Sequence, residues 1–265
     1  GSVTRKLIRY ALPLVASSLL QALYSITDFV IAGHFIGDAG ISAINNASQV
    51  MMILTQIIMG ITTGGNILMG QYFGSKDRSN RVKTNRTMFG FALSAGALLS
   101  VLLFLLSRPI LAALRAPALE EATAYLQVCS AGLIAIFGYN ALAAMLRSVG
   151  NSKQPFYCVA VTAGCNIALD CLFMGGFRWG VRGAALATVL AQWASFVVCL
   201  VYVLRHRDLF GLVRRQISFH KDKMVQILKL GIPCAVQMTV VGLSWLAMTF
   251  LINAYGVEAS AASGI

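Results

Sequence analysis

Acidic side chains are scarce in this chain: nine Asp and Glu stand against 21 Lys and Arg in 265 residues. Charged residues of both signs make up 11% of the sequence and hydrophobic ones 58%, whereas a soluble domain carries about 25% charge. Such a chain has too little polar surface to cover a water-facing globule, which excludes a soluble enzyme as its natural class. Histidine is limited to three residues, none at ligand spacing from a cysteine, and no Cys-x-x-Cys pair occurs. The six cysteines, Cys129, Cys158, Cys165, Cys171, Cys199 and Cys234, lie in apolar stretches and read as small hydrophobes. A Gly-rich phosphate loop and a nucleophile elbow are also missing. The net charge of +12 does not indicate nucleic acid, because the basic residues form short clusters between apolar runs and not a patch interleaved with aromatics.

Long apolar runs are what the sequence does have. Seven are long enough to cross a bilayer, which takes about 20 residues each: 8–33, 43–70, 87–107, 120–146, 155–176, 182–204 and 225–254. The first follows the basic residues Arg5, Lys6 and Arg9, but it is too long for the core of a signal peptide and reads as a retained helix. Gly1-Ser2 reads as an expression remnant. The expected fold is an all-α polytopic transmembrane helix bundle.

Charge sets the expected orientation. With the N-terminus inside, one side holds Arg5, Lys6, Arg9, Lys76, Arg78, Arg81, Lys83, Arg86, Arg147 and Lys153, together with Arg205, Arg207, Arg214, Arg215, Lys221, Lys223 and Lys229. The other side keeps Arg108, Arg115, Arg178 and Arg182. This asymmetry predicts a cytoplasmic N-terminus and six crossings before the 205–224 connector.

An internal repeat is also legible. Lys6-Leu7-Ile8-Arg9-Tyr10-Ala11-Leu12-Pro13 aligns with Gln226-Ile227-Leu228-Lys229-Leu230-Gly231-Ile232-Pro233, each placing a basic residue four positions before a proline. Gly37-Asp38-Ala39-Gly40-Ile41-Ser42-Ala43 parallels Gly256-Val257-Glu258-Ala259-Ser260-Ala261-Ala262. A period of six helices brings both copies in from one side, as parallel repeats. Residues 1–214 are then a six-helix lobe, and 215–265 a linker with the first helix of a second lobe whose remainder is expected beyond this sequence.

Two acidic residues lie well inside apolar runs, Asp28 and Asp170. A charge there costs about 3 kcal/mol on insertion scales, so each is a functional candidate. Lacking a Lys or Arg within any run to pair with, such a carboxylate takes up a proton or binds a cation. At 1.5 Å per residue, Asp28 lies roughly 27 Å and Asp170 roughly 21 Å from the inner starts of their helices, with Thr188 at similar depth. Asn166 and Asp170 share a helix face at a spacing of four. Asp28, Asn166, Asp170 and Thr188 thus define a candidate pocket of oxygens and one amide, suited to a hard monovalent ion or a proton and not to a transition metal.

Other roles stay open for each residue. Either Asp can snorkel or cap a helix break, and Thr188 can bond back to its own helix. Gln21 and Tyr24 share the Asp28 face and either line a cavity or bond between helices. Asn140 is a weaker candidate of the same kind, with Asn45, Asn46 and Asn66, and His34 reads as interfacial. Pro13 and Gly33 are expected to let the first helix bend.

Several stretches together resemble the multidrug and toxic compound extrusion (MATE) transporters. Ala11-Leu12-Pro13-Leu14, Gln21-Ala22-Leu23-Tyr24-Ser25-Ile26-Thr27-Asp28 and Ala32-Gly33 look like that family's first helix, and Gly70-Gln71-Tyr72-Phe73-Gly74 like the end of its second. Leu146-Arg147-Ser148-Val149-Gly150-Asn151-Ser152-Lys153 resembles the loop after its fourth helix. Gly180-Val181-Arg182-Gly183-Ala184-Ala185-Leu186-Ala187-Thr188 resembles the start of its sixth. The resemblance implies twelve helices in two rocking lobes, of which this chain holds the first lobe and one further helix. In the DinF-like branch the first-lobe cation site falls on Asp28, Asn166, Asp170 and Thr188. It further implies export of amphiphilic or cationic compounds by antiport with H+ or Na+, with no other cofactor, in a bacterial inner membrane.

Two rival classes differ at specific residues. A lipid or polysaccharide flippase of the same superfamily carries basic residues in its cavity, and none is expected here. A seven-helix receptor has the opposite orientation, and the last run has no Lys between 230 and 254 for a retinal Schiff base.

Overall fold

The computed structural model describes residues 3–211 and 219–255. Arg214, Arg215 and the second repeat copy from Gly256 to Ala262 lie outside the described residues, as do the side chains of Arg5, Lys6 and Arg9. Among the described residues the chain is helical: α1 Val3–Gly74, α2 Arg78–Ala113, α3 Leu119–Ser130, α4 Leu133–Ser148, α5 Lys153–Asp170, a π-helical turn Cys171–Gly176, α6 Gly180–Arg205, α7 Arg207–Phe210 and α8 Lys221–Asn253.

The apolar part of α1, Tyr10–Gly74, is 65 residues long. At 1.5 Å per residue it would extend roughly three times the hydrocarbon core. It is broken at Gly37, whose backbone (φ 66°, ψ −174°) leaves the helical region that side-chain-bearing residues keep. The two limbs, 3–36 and 38–74, correspond to the first two expected runs, and the expected connector between them is helical except at Gly37. The limb does not break at Pro13: helical structure continues through it, and Ser17 Oγ donates to the Pro13 carbonyl at 2.7 Å.

The run expected at 120–146 is two helices, α3 and α4, bent by 48°. The Trp193 indole N–H donates to the Ala131 carbonyl at the bend (3.3 Å), satisfying a group the break leaves without a helical partner. Counting the bent pair once and the two limbs of α1 separately, the described residues hold seven helical segments long and apolar enough to cross a membrane, the number read from the sequence. The chain is a multi-pass membrane protein of the all-α class. Its faces open to lipid carry rows such as Leu12, Val15, Leu19, Leu23, Ile26 and Val30.

Side chains as large as Phe137, Met88 and Leu126 are fully buried in the bundle centre. Close approach there depends on small residues: Gly138 faces the Phe196 ring and Gly65 the Met88 sulfur. The second limb of α1 runs antiparallel to α8, with Gly60 against Ala235 and Gly64 against Gly231.

One end of the bundle gathers basic groups. Asp77 caps α2 there, accepting from the Asn80 backbone N–H at 3.0 Å and from Asn80 Nδ2 at 2.6 Å. These two bonds, aided by the charges of Lys223 and Lys83, hold its carboxyl below the usual carboxylate range. From α2, Arg78, Arg81, Asn85 and Arg86 donate in turn to the carbonyls of Asp208, Leu209, Phe210 and Gly211. Four consecutive carbonyls at the end of the α6–α7 segment are thereby tied to one helix.

Candidate functional site

Asp28 sits on the inner face of the first α1 limb, and Asp170 is the last residue of α5. Their carboxyl groups lie within hydrogen-bond reach of each other. Asp170 and Asn166 are fully buried, at 0% exposure, so Asp170 does not snorkel to an interface. The π-helical turn begins at the next residue, Cys171. Such turns shift the register of the face they interrupt and concentrate at functional sites.

Thr188 of α6 completes the group. Asn166 Nδ2 donates to Thr188 Oγ1 at 3.4 Å, and the Thr188 hydroxyl donates to the Ala184 carbonyl at 3.0 Å. Thr188 therefore bonds back to its own helix and also turns its oxygen toward α5. Asp28 and Thr188 face a cavity of about 220 Å³, while Asp170 and Asn166 stand behind them. The structure brings together all four residues that the sequence singled out.

What remains unpaired is more informative. Asp28 Oδ1, both Asp170 oxygens and Asn166 Oδ1 are buried with no donor among the described residues. The ion pairs among those residues, Arg108–Glu120 and Lys223–Asp222, involve none of these four residues. Buried polar oxygens are almost always satisfied, and two adjacent buried carboxylates repel. A proton or a small cation between them would relieve that repulsion. Every donor here is an oxygen or an amide, which fits a hard ion.

Sequence reasoning missed Tyr125 and Cys129 of α3. Tyr125 is 3% exposed, lines the same cavity, and holds its hydroxyl within bonding reach of Thr188 and Cys129. The α3–α4 bend presents it there together with Gly132 and Ile136. An aromatic in an apolar run carries no signal that separates it from core packing.

A second, larger cavity of about 490 Å³ adjoins the first, sharing Tyr24, Ser25, Thr55, Ile136 and Gln192. Gln21, Tyr24 and Asn140 all line it, with Asn140 Nδ2 held by the Ile136 carbonyl at 2.8 Å. Arg147 lines it too. That corrects the expectation of a cavity free of basic residues: Arg147 belongs to the last turn of α4 and not to a connector. Side chains of a helix lean toward its N-terminus, which carries a long guanidinium back into the bundle.

Comparison with known proteins agrees with this architecture. Probable multidrug resistance protein YoeA of Bacillus subtilis (strain 168) is 30% identical over 273 residues, covering 100% of this chain and 59% of that protein. Multidrug export protein MepA of Staphylococcus saprophyticus is 26% identical over 276 residues, covering 100% and 59% respectively. The solved structure of MATE multidrug transporter DinF-BH shares the fold, with a TM-score of 0.93 at 24% identity over 99% of this chain and 60% of that one. The chain thus spans about three-fifths of the length of these relatives. The MatE family profile matches residues 13–172, more than half of the sequence, and the protein belongs to the MatE family.

Proposed function

We propose that this chain forms the first lobe of a secondary transporter that exports amphiphilic or cationic compounds in exchange for H+ or Na+. Residues 1–214 are the lobe, and 215–265 are the linker and first helix of a second, six-helix lobe that rocks against it. The N-terminus faces the cytoplasm of a bacterial inner membrane, on the side where the basic residues cluster.

One observation carries this reading: the neighbouring carboxyl groups of Asp28 and Asp170, with buried oxygens that lack donors, beside a cavity. In the coupling step Asp170, Asn166 and Thr188 hold the ion, while Asp28 changes protonation. Its charge alters the packing of the first α1 limb, with Pro13 as the point of bending. Gln21, Tyr24 and Asn140 line the substrate path. A neutral occupant and a charged one fill the carboxyl pair differently, so ion and substrate occupancy are coupled through the shape of one limb.

The test uses the full-length protein in a drug-sensitive host and in proteoliposomes. Asp28→Asn and Asp170→Asn are each expected to insert normally and to lose ion-driven export. Full drug resistance retained in both variants would sink the proposal. Saturable sodium binding lost in Asp170→Asn assigns sodium coupling; a response to pH alone, lost in Asp28→Asn, assigns protons.

Arg147 in the larger cavity favours a second reading, a lipid or polysaccharide flippase of the same superfamily, because a guanidinium lining the cavity suits an anionic head group. Translocation of a fluorescent polyprenyl-linked lipid with no drug export would select it.

A further inference from the structure

In α2 the basic segment ends where the apolar run begins: Arg86 directly precedes the run 87–107. From Arg86 to Leu105 the helix rises roughly 28 Å, close to the thickness of the hydrocarbon core. A bilayer aligned with that run puts Arg86 at its surface and Arg78, Ser79 and Lys83 in the headgroup layer. These four residues and Val82 line an open hollow of about 510 Å³ at the basic end of the bundle.

Other basic side chains of this end are turned inward. Arg81 packs on the Phe73 ring and Lys223 on the Tyr72 ring, both buried. In the hollow, by contrast, Arg78 and Lys83 are exposed and Arg86 is half-buried. Arg78 uses one N–H on the Asp208 carbonyl, and Arg86 uses its Nε–H on the Gly211 carbonyl. A guanidinium has five N–H donors, so both keep several for a ligand. Lys83 makes no hydrogen bond or ion pair among the described residues. Asp77, Asp208 and Asp222, acidic groups of the same end, form no ion pair with these three bases.

The same helical face continues into the bilayer. Steps of three and four from Arg86 lead through Gly90 and Ser94 to Ala97, Val101 and Leu105. Ser94 and Ala97 are exposed, and Val101 and Leu105 keep 60% and 66% of their surface open. Free cationic donors at the surface and a bare apolar stripe below them match the two halves of a phospholipid.

We propose that this face of α2 binds an anionic phospholipid such as phosphatidylglycerol. Arg78, Lys83 and Arg86 hold its phosphate, and its acyl chains lie along Ala97, Val101 and Leu105. Charge selects an anionic lipid over a zwitterionic one, because three cations line the hollow with no carboxylate among them. The arginine forks also match phosphate oxygens in pairs. The apolar stripe selects a lipid over a soluble phosphate, which would gain nothing from it. The hollow shares no residue with either cavity, so the proposal goes beyond the export reading and does not depend on it.

Native mass spectrometry of the purified full-length protein, titrated with phosphatidylglycerol, phosphatidylcholine or inorganic phosphate, reads occupancy directly. Phosphatidylglycerol should bind about tenfold more tightly than phosphatidylcholine. Lys83→Gln removes no hydrogen bond among the described residues and should reduce that preference about threefold. Replacing Arg78, Lys83 and Arg86 together by Gln should abolish it. Lys153→Gln, at an exposed lysine that opens α5 outside the hollow, is the control and should leave the preference unchanged. Equal affinity for the two lipids overturns the proposal, and so does an equal loss in Lys153→Gln, which would reduce the effect to net charge. Displacement of phosphatidylglycerol by millimolar inorganic phosphate also overturns it, assigning the hollow to a soluble anion. Every readout is of binding, so a failure here is separate from a failure of the export reading.

Discussion

Gly64 of α1 and Gly231 of α8 meet backbone to backbone: a Cβ on Gly64 would stand 2.5 Å from the Gly231 Cα and closer still to its nitrogen. One turn away, a Cβ on Gly60 would run into the Ala235 backbone, 2.6 Å from the Ala235 Cβ. The pattern Gly60-x-x-x-Gly64 against Gly231-x-x-x-Ala235 is how helices in lipid gain contact, through close backbone approach and not hydrophobic exclusion. The same pair is closed at one end by Asn253, whose Nδ2 donates to Asn46 Oδ1 and to the Leu114 carbonyl.

Gly64→Ala should therefore force α8 away and lower stability by about 1–3 kcal/mol, the usual cost of overpacking. Gly164→Ala is the control, since nothing lies within 4 Å of its added Cβ and alanine is the better helix former. Thermal unfolding of the two variants in detergent checks this. Equal melting temperatures would mean that the close approach carries no energy.

Where the helices lie was legible in the sequence because the bilayer imposes a length of about 20 apolar residues on each crossing. Asp28 and Asp170 were legible for the converse reason: a carboxylate in hydrocarbon has no cheap explanation. Similar depth made a shared pocket for the two carboxylates conceivable, but their proximity depends on how the first α1 limb packs against α5, which the sequence does not show. Tyr125 left no trace, because its role depends on the 48° bend between α3 and α4 and not on its own neighbours in sequence. Arg147 was misplaced because position in the chain locates a Cα and not the far end of a long side chain.

A second prediction concerns Lys223, buried at 5% exposure. Its Nζ donates to the Tyr72 hydroxyl at 2.9 Å and lies 4.7 Å from the Tyr72 ring centre, while that hydroxyl donates to Gln226 Oε1 at 3.0 Å. Tyr72→Phe keeps the ring and removes both hydrogen bonds, one of them to a charged group, so it should cost about 2–4 kcal/mol. Tyr72→Leu also loses the cation–π contact and should cost roughly 0.5–1 kcal/mol more. Denaturant titration of both variants orders them; a Phe variant as unstable as Leu would place all the energy in the hydroxyl.

The four donors of α2 give a third prediction. Asn85 is 2% exposed and its Nδ2 bonds the Phe210 carbonyl at 2.7 Å. Asn85→Ala leaves that carbonyl to water and loosens the segment at the middle of its row of ties. Trypsin should then cut after Arg205 or Arg207 several-fold faster than in the unaltered protein, read by mass spectrometry of the fragments. Unchanged cleavage would mean that Arg78, Arg81 and Arg86 hold the segment without Asn85.

The cap of α2 yields a pH dependence whose sign is fixed. Asp77 is held below the usual carboxylate range chiefly by the Asn80 backbone and side-chain bonds, with Lys223 and Lys83 adding to the effect. A carboxyl depressed in the folded state stabilises the fold fully above its unfolded value, and the contribution fades as pH falls through the folded value. Protection of the Asn80 amide against hydrogen exchange should accordingly decline under acid after correction for the intrinsic rate. Asp77→Asn retains a cap, since asparagine caps as well as aspartate, but carries no titratable group. Its Asn80 protection should be flat over the same acid range, and a decline as steep as in the unaltered protein would assign the effect to another carboxyl.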